Sequence, residues 1–194
     1  MTKSMVLGLL VAMLLFWAVG AYNRLVRLRA EVSKAFSALD NVLSVQPALI
    51  KTALPDELPA DVLSVVQTPL PPATPWARLA AAGEQVALAL ANVRARPLDP
   101  QAVEALSAAR GVLADVRQSA GIARDHDAPS EDALPDALLA RLAALDEQAV
   151  VPAAAFDAAV QVHNLAIRQF PALILARIWG FKPAAALRWP TARA

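Results

Sequence analysis

MVLGLLVAMLLFWAVGAYNRLVRLRAEVSKAFSALDNVL, running from Met5 to Leu43, changes character part-way along. Met5 to Ala21 carries no charged residue, whereas Arg24, Arg27, Arg29 and Lys34 follow closely with only Glu31 to offset them. An uncharged apolar run of about 17–25 residues, at roughly 1.5 Å each, is long enough to cross a bilayer. Beyond Tyr22 a helical repeat continues without pause. Leu25, Leu28, Val32, Ala35, Leu39 and Val42 make a heptad-like stripe that Phe36 and Leu43 widen, while Arg27, Glu31, Lys34 and Asn41 fall outside it. The expectation is a short flank at 1–4 and a transmembrane helix over 5–22 that leads directly into the first helix of a helical domain spanning 23–170.

A secretory signal is the rival reading of the same residues, with Lys3 as its basic start and Val19-Gly20-Ala21 as its small-residue cleavage site. The apolar core is longer than the ~7–15 residues of a signal h-region, and a cut there would sever a continuous periodic pattern. A retained anchor therefore predicts a single-pass protein of the cell (inner) membrane. The basic flank Arg24, Arg27, Arg29 and Lys34 outweighs Lys3 and the amino group, which orients the soluble domain toward the cytoplasm. The alternative is a domain facing the periplasm.

The chain has 194 residues, a formal net charge of +1, no cysteine, two histidines, six glycines and 15 prolines. Without the anchor, about 170 residues remain, enough for one domain with a real core. A charge balance near zero gives no sign of nucleic-acid binding, which shows as a strongly basic patch. The absence of cysteine excludes disulfides and thiolate metal sites. Abundant alanine, proline-marked connections and the lack of β-alternation predict an all-α protein.

Pro47 should kink or end the first helix. The segment 54–75, with six prolines from Pro55 to Pro75, reads as a partly extended connection with at most a short turn around Asp61 to Val66. Thr74-Pro75 is a helix start, a capping residue followed by proline at the first helical position. The next stripe is Trp76, Leu79, Gly83, Val86, Leu90 and Val93. Asp99-Pro100 repeats the start signal before Val103, Leu106, Ala109, Leu113 and Val116. The acidic stretch within 124–132 reads as a solvated loop. A last helical region from near Leu134 carries Leu138, Leu142, Leu145, Ala149, Phe156, Val160, His163, Ile167 and Phe170, with Pro152 expected to kink or divide it. Four amphipathic segments with short links between the later ones predict an antiparallel, coiled-coil-like four-helix bundle behind the N-terminal transmembrane helix.

Familiar catalytic sets do not occur in this sequence: no phosphate-binding glycine loop, no Gly-x-Ser-x-Gly elbow and no His-Glu-x-x-His. Arg124-Asp125-His126-Asp127 sets a histidine between carboxylates, and reads as a polar loop beside Pro129 rather than a metal site. His163 lies on an apolar stripe, as a hydrogen-bonded core or boundary histidine would. Trp76 reads as packing. No cofactor, catalytic group or metal site is expected.

Two segments carry a resemblance. The first runs from Tyr22-Asn23-Arg24-Leu25-Val26 through Phe36-Ser37 and Asp40 to Leu49-Ile50; the second holds Phe156-Asp157, His163-Asn164, Phe170-Pro171 and Gly180-Phe181. Together they resemble the LemA family of bacterial membrane-anchored helical proteins: its Tyr-Asn start behind the membrane helix, its aromatic-Ser-x-aliphatic-Asp element, its paired Tyr-Asn repeats, its Phe-Pro and its closing Gly-Phe. The repeats stand here as Phe156-Asp157 and His163-Asn164. The resemblance implies a long four-helix domain without established catalysis, acting as a scaffold or adaptor. Such a domain would bind an unidentified membrane-associated protein or its own copies. A cleaved periplasmic binding protein of the same fold is the alternative, with an enzyme of unrecognised site as a third reading.

The C-terminal segment 171–194 has no acidic residue, and carries Arg177, Lys182, Arg188 and Arg193 among Leu173, Ile174, Ile178, Trp179, Phe181, Leu187 and Trp189. In an up-down bundle the last helix returns toward the membrane, so this segment would meet the bilayer surface. Cations beside tryptophans suit that interface, and make Arg24, Arg27, Arg29, Arg177, Trp179, Lys182 and Trp189 membrane-interface candidates. Equally, Ile174, Ile178 and Phe181 could cap the open end of the core.

Overall fold

The computed structural model describes residues 2–55, 74–126, 133–169, 173–174, 177, 180 and 182–188, with residues 2–4 and 123–126 described by backbone alone. Within these the chain is helical and contains no strand. Five helices follow in order: α1 (Thr2–Leu43), α2 (Val45–Ala53), α3 (Pro75–Ala95), α4 (Pro100–His126) and α5 (Asp136–Arg168). The suggested turn at Asp61–Val66 lies outside the described residues.

Helix α1 is unbroken from the apolar run into the packed domain. Its first part leaves large apolar side chains open, with Phe16 82% and Leu9 72% exposed, and the apolar window of this helix is entirely unburied. At roughly 25 cal/mol per Å² that much open hydrocarbon is costly in water, so the feature is compatible with a membrane anchor or a signal sequence. From Leu25 onward a buried face appears: Leu25, Leu28, Val32, Phe36, Leu39 and Leu43. Phe36 and Leu43 stand at the centre of that face, whereas Ala35 and Val42, expected on the stripe, are only half-buried at its edge. The same face continues past the helix break through Gln46 and Ile50 of α2.

The break is local in cause. Pro47 has no N–H for the carbonyl of Leu43, and its ring crowds that carbonyl, so α1 ends there and α2 restarts at Val45. Helix α3 begins as its capping pattern dictates: Thr74 Oγ1 accepts from the Ala77 N–H at 3.2 Å, with Pro75 behind it. Asp99 opens α4 in the same manner, its carboxylate accepting from the Gln101 N–H at 3.1 Å and pairing with Arg96 at 3.2 Å.

Two observations revise the sequence reading. Helix α4 continues to His126, so the first residues of the presumed loop 124–132 are helical. Helix α5 begins at Asp136 and passes through Pro152 undivided, with Ala149 and Ala153 buried on either side. Gln148, four residues before Pro152, is exposed, so water can take up the carbonyl that the proline leaves without an amide partner.

Helix α1 packs against α5, α3 against α4, and α2 against α3. The direction of the first pair follows from its contacts. Leu25 and Leu28 cluster with Ala166 and Ile167, Phe36 meets Phe156, and Gln46 reaches Asp146. As numbering rises along α1 and α2 it falls along α5, so these helices run in opposite directions. The main core draws on every helix and includes the expected Leu39 and Val160, with the Phe36 and Phe156 rings edge-on at 5.8 Å and 65°.

Candidate functional site

Two sets of polar contacts lie along the seam between α4 and α5, whose backbones approach each other less than those of the packed pairs above. Two separate stations bridge this seam.

The first is charged. Arg110 and Arg117 lie seven residues apart, on one face of α4. Both address Asp146 of α5: Arg110 Nη2 donates to Oδ1 at 3.0 Å, and Arg117 Nη2 donates to Oδ2. Gln46 of α2 donates its Nε2 to the same Oδ1 at 2.8 Å. The Arg110 side chain is 3% exposed, Arg117 16% and Asp146 25%, so the arginine deepest in the protein depends most on this carboxylate. Burial pushes the Asp146 carboxyl upward, but the Arg117 and Arg110 charges and the Gln46 and Arg117 hydrogen bonds hold it below its ordinary range. Burial lowers the Arg110 pKa against the pull of Asp146. The cluster ties α2, α4 and α5 together through one carboxylate.

The second station holds the C-terminal segment. Residues 182–188 have no regular structure of their own. Asn164 of α5 meets both polar groups of one residue: its Nδ2 donates to the Ala184 carbonyl at 2.8 Å, and its Oδ1 accepts from the Ala184 N–H at 2.9 Å. Seven residues earlier, Asp157 Oδ1 accepts from the Leu187 N–H at 2.7 Å. From the α4 side, Ser107 Oγ accepts from the Arg188 N–H at 3.2 Å, while its own hydroxyl donates to the Val103 carbonyl. Ala184 and Leu187 are buried and join the main core. Burial pushes the Asp157 carboxyl up, partly countered by the Leu187 amide.

Part of the segment 171–194, expected at the bilayer surface, is held by the protein itself. From Ala184 to Leu187 the segment packs on the bundle's own core, and runs back along α5 away from the α1 end marked by Leu25. Lys182 and Arg188 are exposed beside it, and Arg177, Leu173 and Ile174 are exposed before it. Trp179, Phe181, Ile178 and Trp189 lie outside the described residues. At the other end, Arg24, Arg27 and Arg29 are exposed on α1 just past the apolar run, and Arg27 sits 4.0 Å from Glu31.

The positions of the family resemblance divide into three groups. Phe36 and Phe156 pack on each other in the core. Asp40 accepts from Arg94 Nε at 2.8 Å, linking α1 to α3, and Asn164 clamps the C-terminal segment. Tyr22, Asn23 and Ser37 are exposed, with Ser37 Oγ donating to the Ser33 carbonyl. Gly180 is exposed and adopts φ 70°, a left-handed backbone that suits glycine. Phe170 and Pro171 lie outside the described residues.

His163, expected as a core or boundary histidine, is 1% exposed on the buried face of α5. Burial lowers its pKa, the Arg29 charge adds to that, and the backbone at Lys182 opposes it. Trp76 is buried in the core. Among the described residues no group of three acidic, histidine or cysteine side chains could hold a metal ion; the side chain of His126 is outside them.

Sequence periodicity missed Gln46, Arg110, Arg117 and Asp146. A signal was available: the heptad-spaced pair Arg110 and Arg117 borders the apolar stripe at Ala109 and Val116. Comparison of the chain with protein-family models, curated proteins and solved structures finds no match.

Proposed function

We propose that this protein is a membrane-anchored helical scaffold or adaptor of the LemA type, single-pass in a bacterial inner membrane, with its domain in the cytoplasm and without catalysis. The observation that carries this reading is the continuity of α1, which runs from an open apolar stretch straight into a core shared with α5. Such a helix is suited to holding a packed domain at a set place beside a bilayer. The opposed directions of α1 and α5, and the α3–α4 pairing through a short link, support an antiparallel, coiled-coil-like four-helix arrangement. The open faces of these helices are the surfaces offered to a membrane-associated partner or a second copy.

Topology and scaffolding are tested together. A reporter active only outside the cytoplasm, fused after Ala194, stays silent; strong activity reverses the orientation. A proximity-labelling enzyme at the same point enriches a set of proteins absent from a control bearing residues 1–23 alone. Identical sets for both chains would remove the scaffold reading. An N-terminal mass starting after Ala21 would favour the cleaved, periplasmic alternative.

A further inference from the structure

The segment 182–188 is recognised chiefly by what every polypeptide has. In an extended residue the N–H and C=O point to the same side, and a carboxamide placed alongside can bridge both, as a neighbouring β-strand would. Asn164 does this to Ala184. Asp157 and Ser107 then take the N–H groups of Leu187 and Arg188. Only two side chains of the segment are buried, Ala184 and Leu187, three residues apart. The groove is thus selective for a small residue followed three positions later by leucine, with the half-buried Ala185 packed against the core between them.

We propose that the α4–α5 groove is a binding site for an extended segment of another protein with this small-x-x-Leu chemistry, which residues 182–188 occupy in cis. The occupant is defined by the segment seated there. Nothing in its contacts depends on its covalent link to α5, and it belongs to no helix. The pairs α1–α5, α3–α4 and α2–α3 also pack on one another directly, so their contact does not depend on this segment alone. A tethered ligand acts at an effective concentration of about millimolar, so an outside segment competes once it is similarly concentrated or binds better.

The test uses the full chain in detergent micelles and a fluorescent peptide, KPAAALR, the sequence of residues 182–188. Leu187→Asp removes the chain's own leucine anchor and empties the groove. The peptide should bind this variant saturably, and wild type at least tenfold more weakly. N-methylation of the peptide amides equivalent to Ala184 and Leu187 should weaken binding at least tenfold, as should adding Asn164→Ala. Absence of binding to a folded Leu187→Asp chain, or binding that ignores N-methylation, would overturn the proposal. Should that variant not fold, the unaltered chain gives the answer by hydrogen exchange. Millimolar peptide should speed exchange of the Ala184 and Leu187 amides without changing α1 or α3, and unchanged exchange sinks the idea. Association of wild-type chains with Leu187→Asp chains, without peptide, would make a second copy the occupant and overturn the assignment to a separate protein.

Discussion

Asp146→Asn should be the most damaging single-atom-scale change in the domain. The substitution keeps the shape and one acceptor oxygen, but removes the carboxylate charge that Arg110 and Arg117 share. Breaking a buried ion pair by removing one partner costs about 3–5 kcal/mol, because the remaining charge stays desolvated. Arg110, at 3% exposed, has little water to turn to, whereas Arg117 and Asp146, at 16% and 25%, retain some access. The lower end, about 3 kcal/mol, is therefore expected. For a chain of this size each kcal/mol moves the melting temperature by roughly 2–4 °C, giving a fall of roughly 6–12 °C. The control is Arg94→Ala, which breaks the bond to Asp40 at an arginine that is 49% exposed and should cost no more than about 1 kcal/mol. Thermal unfolding of the full chain in a mild detergent at pH 7, followed by circular dichroism, compares the two. A fourfold change, Gln46→Leu with Arg110→Met, Arg117→Met and Asp146→Leu, should recover most of the loss, since apolar replacements remove the desolvated charges and the amide they hold together. Equal shifts for Asp146→Asn and Arg94→Ala would refute the claim that this cluster clasps the seam.

Three further outcomes follow from other parts of the fold. Burial holds His163 neutral, so its folded pKa lies below the unfolded value of about 6.5. As pH falls from that value toward the folded pKa, only the unfolded chain takes up the proton, and stability drops by up to about 1.4 kcal/mol per pH unit. His163→Leu should flatten this part of the pH–stability curve relative to wild type, and parallel curves would contradict it. Leu39→Ala, at a fully buried position, should cost about 2–5 kcal/mol, against about 0.5 kcal/mol or less for exposed Lys34→Ala; similar denaturant midpoints would undo the assignment of the α1 face. At Gly83 an added Cβ would stand 3.0 Å from Ile50 Cδ1, the movable tip of a side chain. Gly83→Ala should therefore stay within about 1 kcal/mol of wild type, its contact offset by better helix propensity, while Gly83→Ile overpacks the α2–α3 contact by about 1–3 kcal/mol. Denaturation that ranks the two the other way would place Gly83 elsewhere.

Periodic burial is what a sequence displays most openly, and the helices follow it. The stripes through Leu25–Leu39, Trp76–Val93, Val103–Leu113 and Leu138–Ile167 are buried where spacing puts them. Finer placement depended on side-chain size: Phe36 and Leu43 outcompete Ala35 and Val42 for the centre of the α1 face because they bury more hydrocarbon. The two helix-interrupting prolines behave differently for a reason that local sequence does not state. Leu43, four residues before Pro47, is buried, whereas Gln148, four before Pro152, faces solvent. The stations on the α4–α5 seam were the least legible. Asp146 and its arginines meet across helices distant in the chain, and their spacing names no partner. The clamp on residues 182–188 acts on main-chain atoms, which leave no pattern in the sequence of the segment they hold.

Helix α1 has 42 residues, so at 1.5 Å each it forms a rod about 63 Å long. It has no glycine hinge or proline between the open apolar part and Leu43; its two glycines, Gly8 and Gly20, lie within the apolar part or at its end. The packed domain accordingly has no swivel. Roll of the apolar part about its own axis is delivered as torque to the Leu25–Leu28 contact with Ala166 and Ile167, the first place where α5 grips the rod. One residue inserted between Ala21 and Leu25 would turn the two ends by about 100° relative to each other and lengthen the rod by about 1.5 Å. Every face of the domain, the α4–α5 groove included, would then point in a new direction. The compass heading of the domain is thus written into the phase of this one helix.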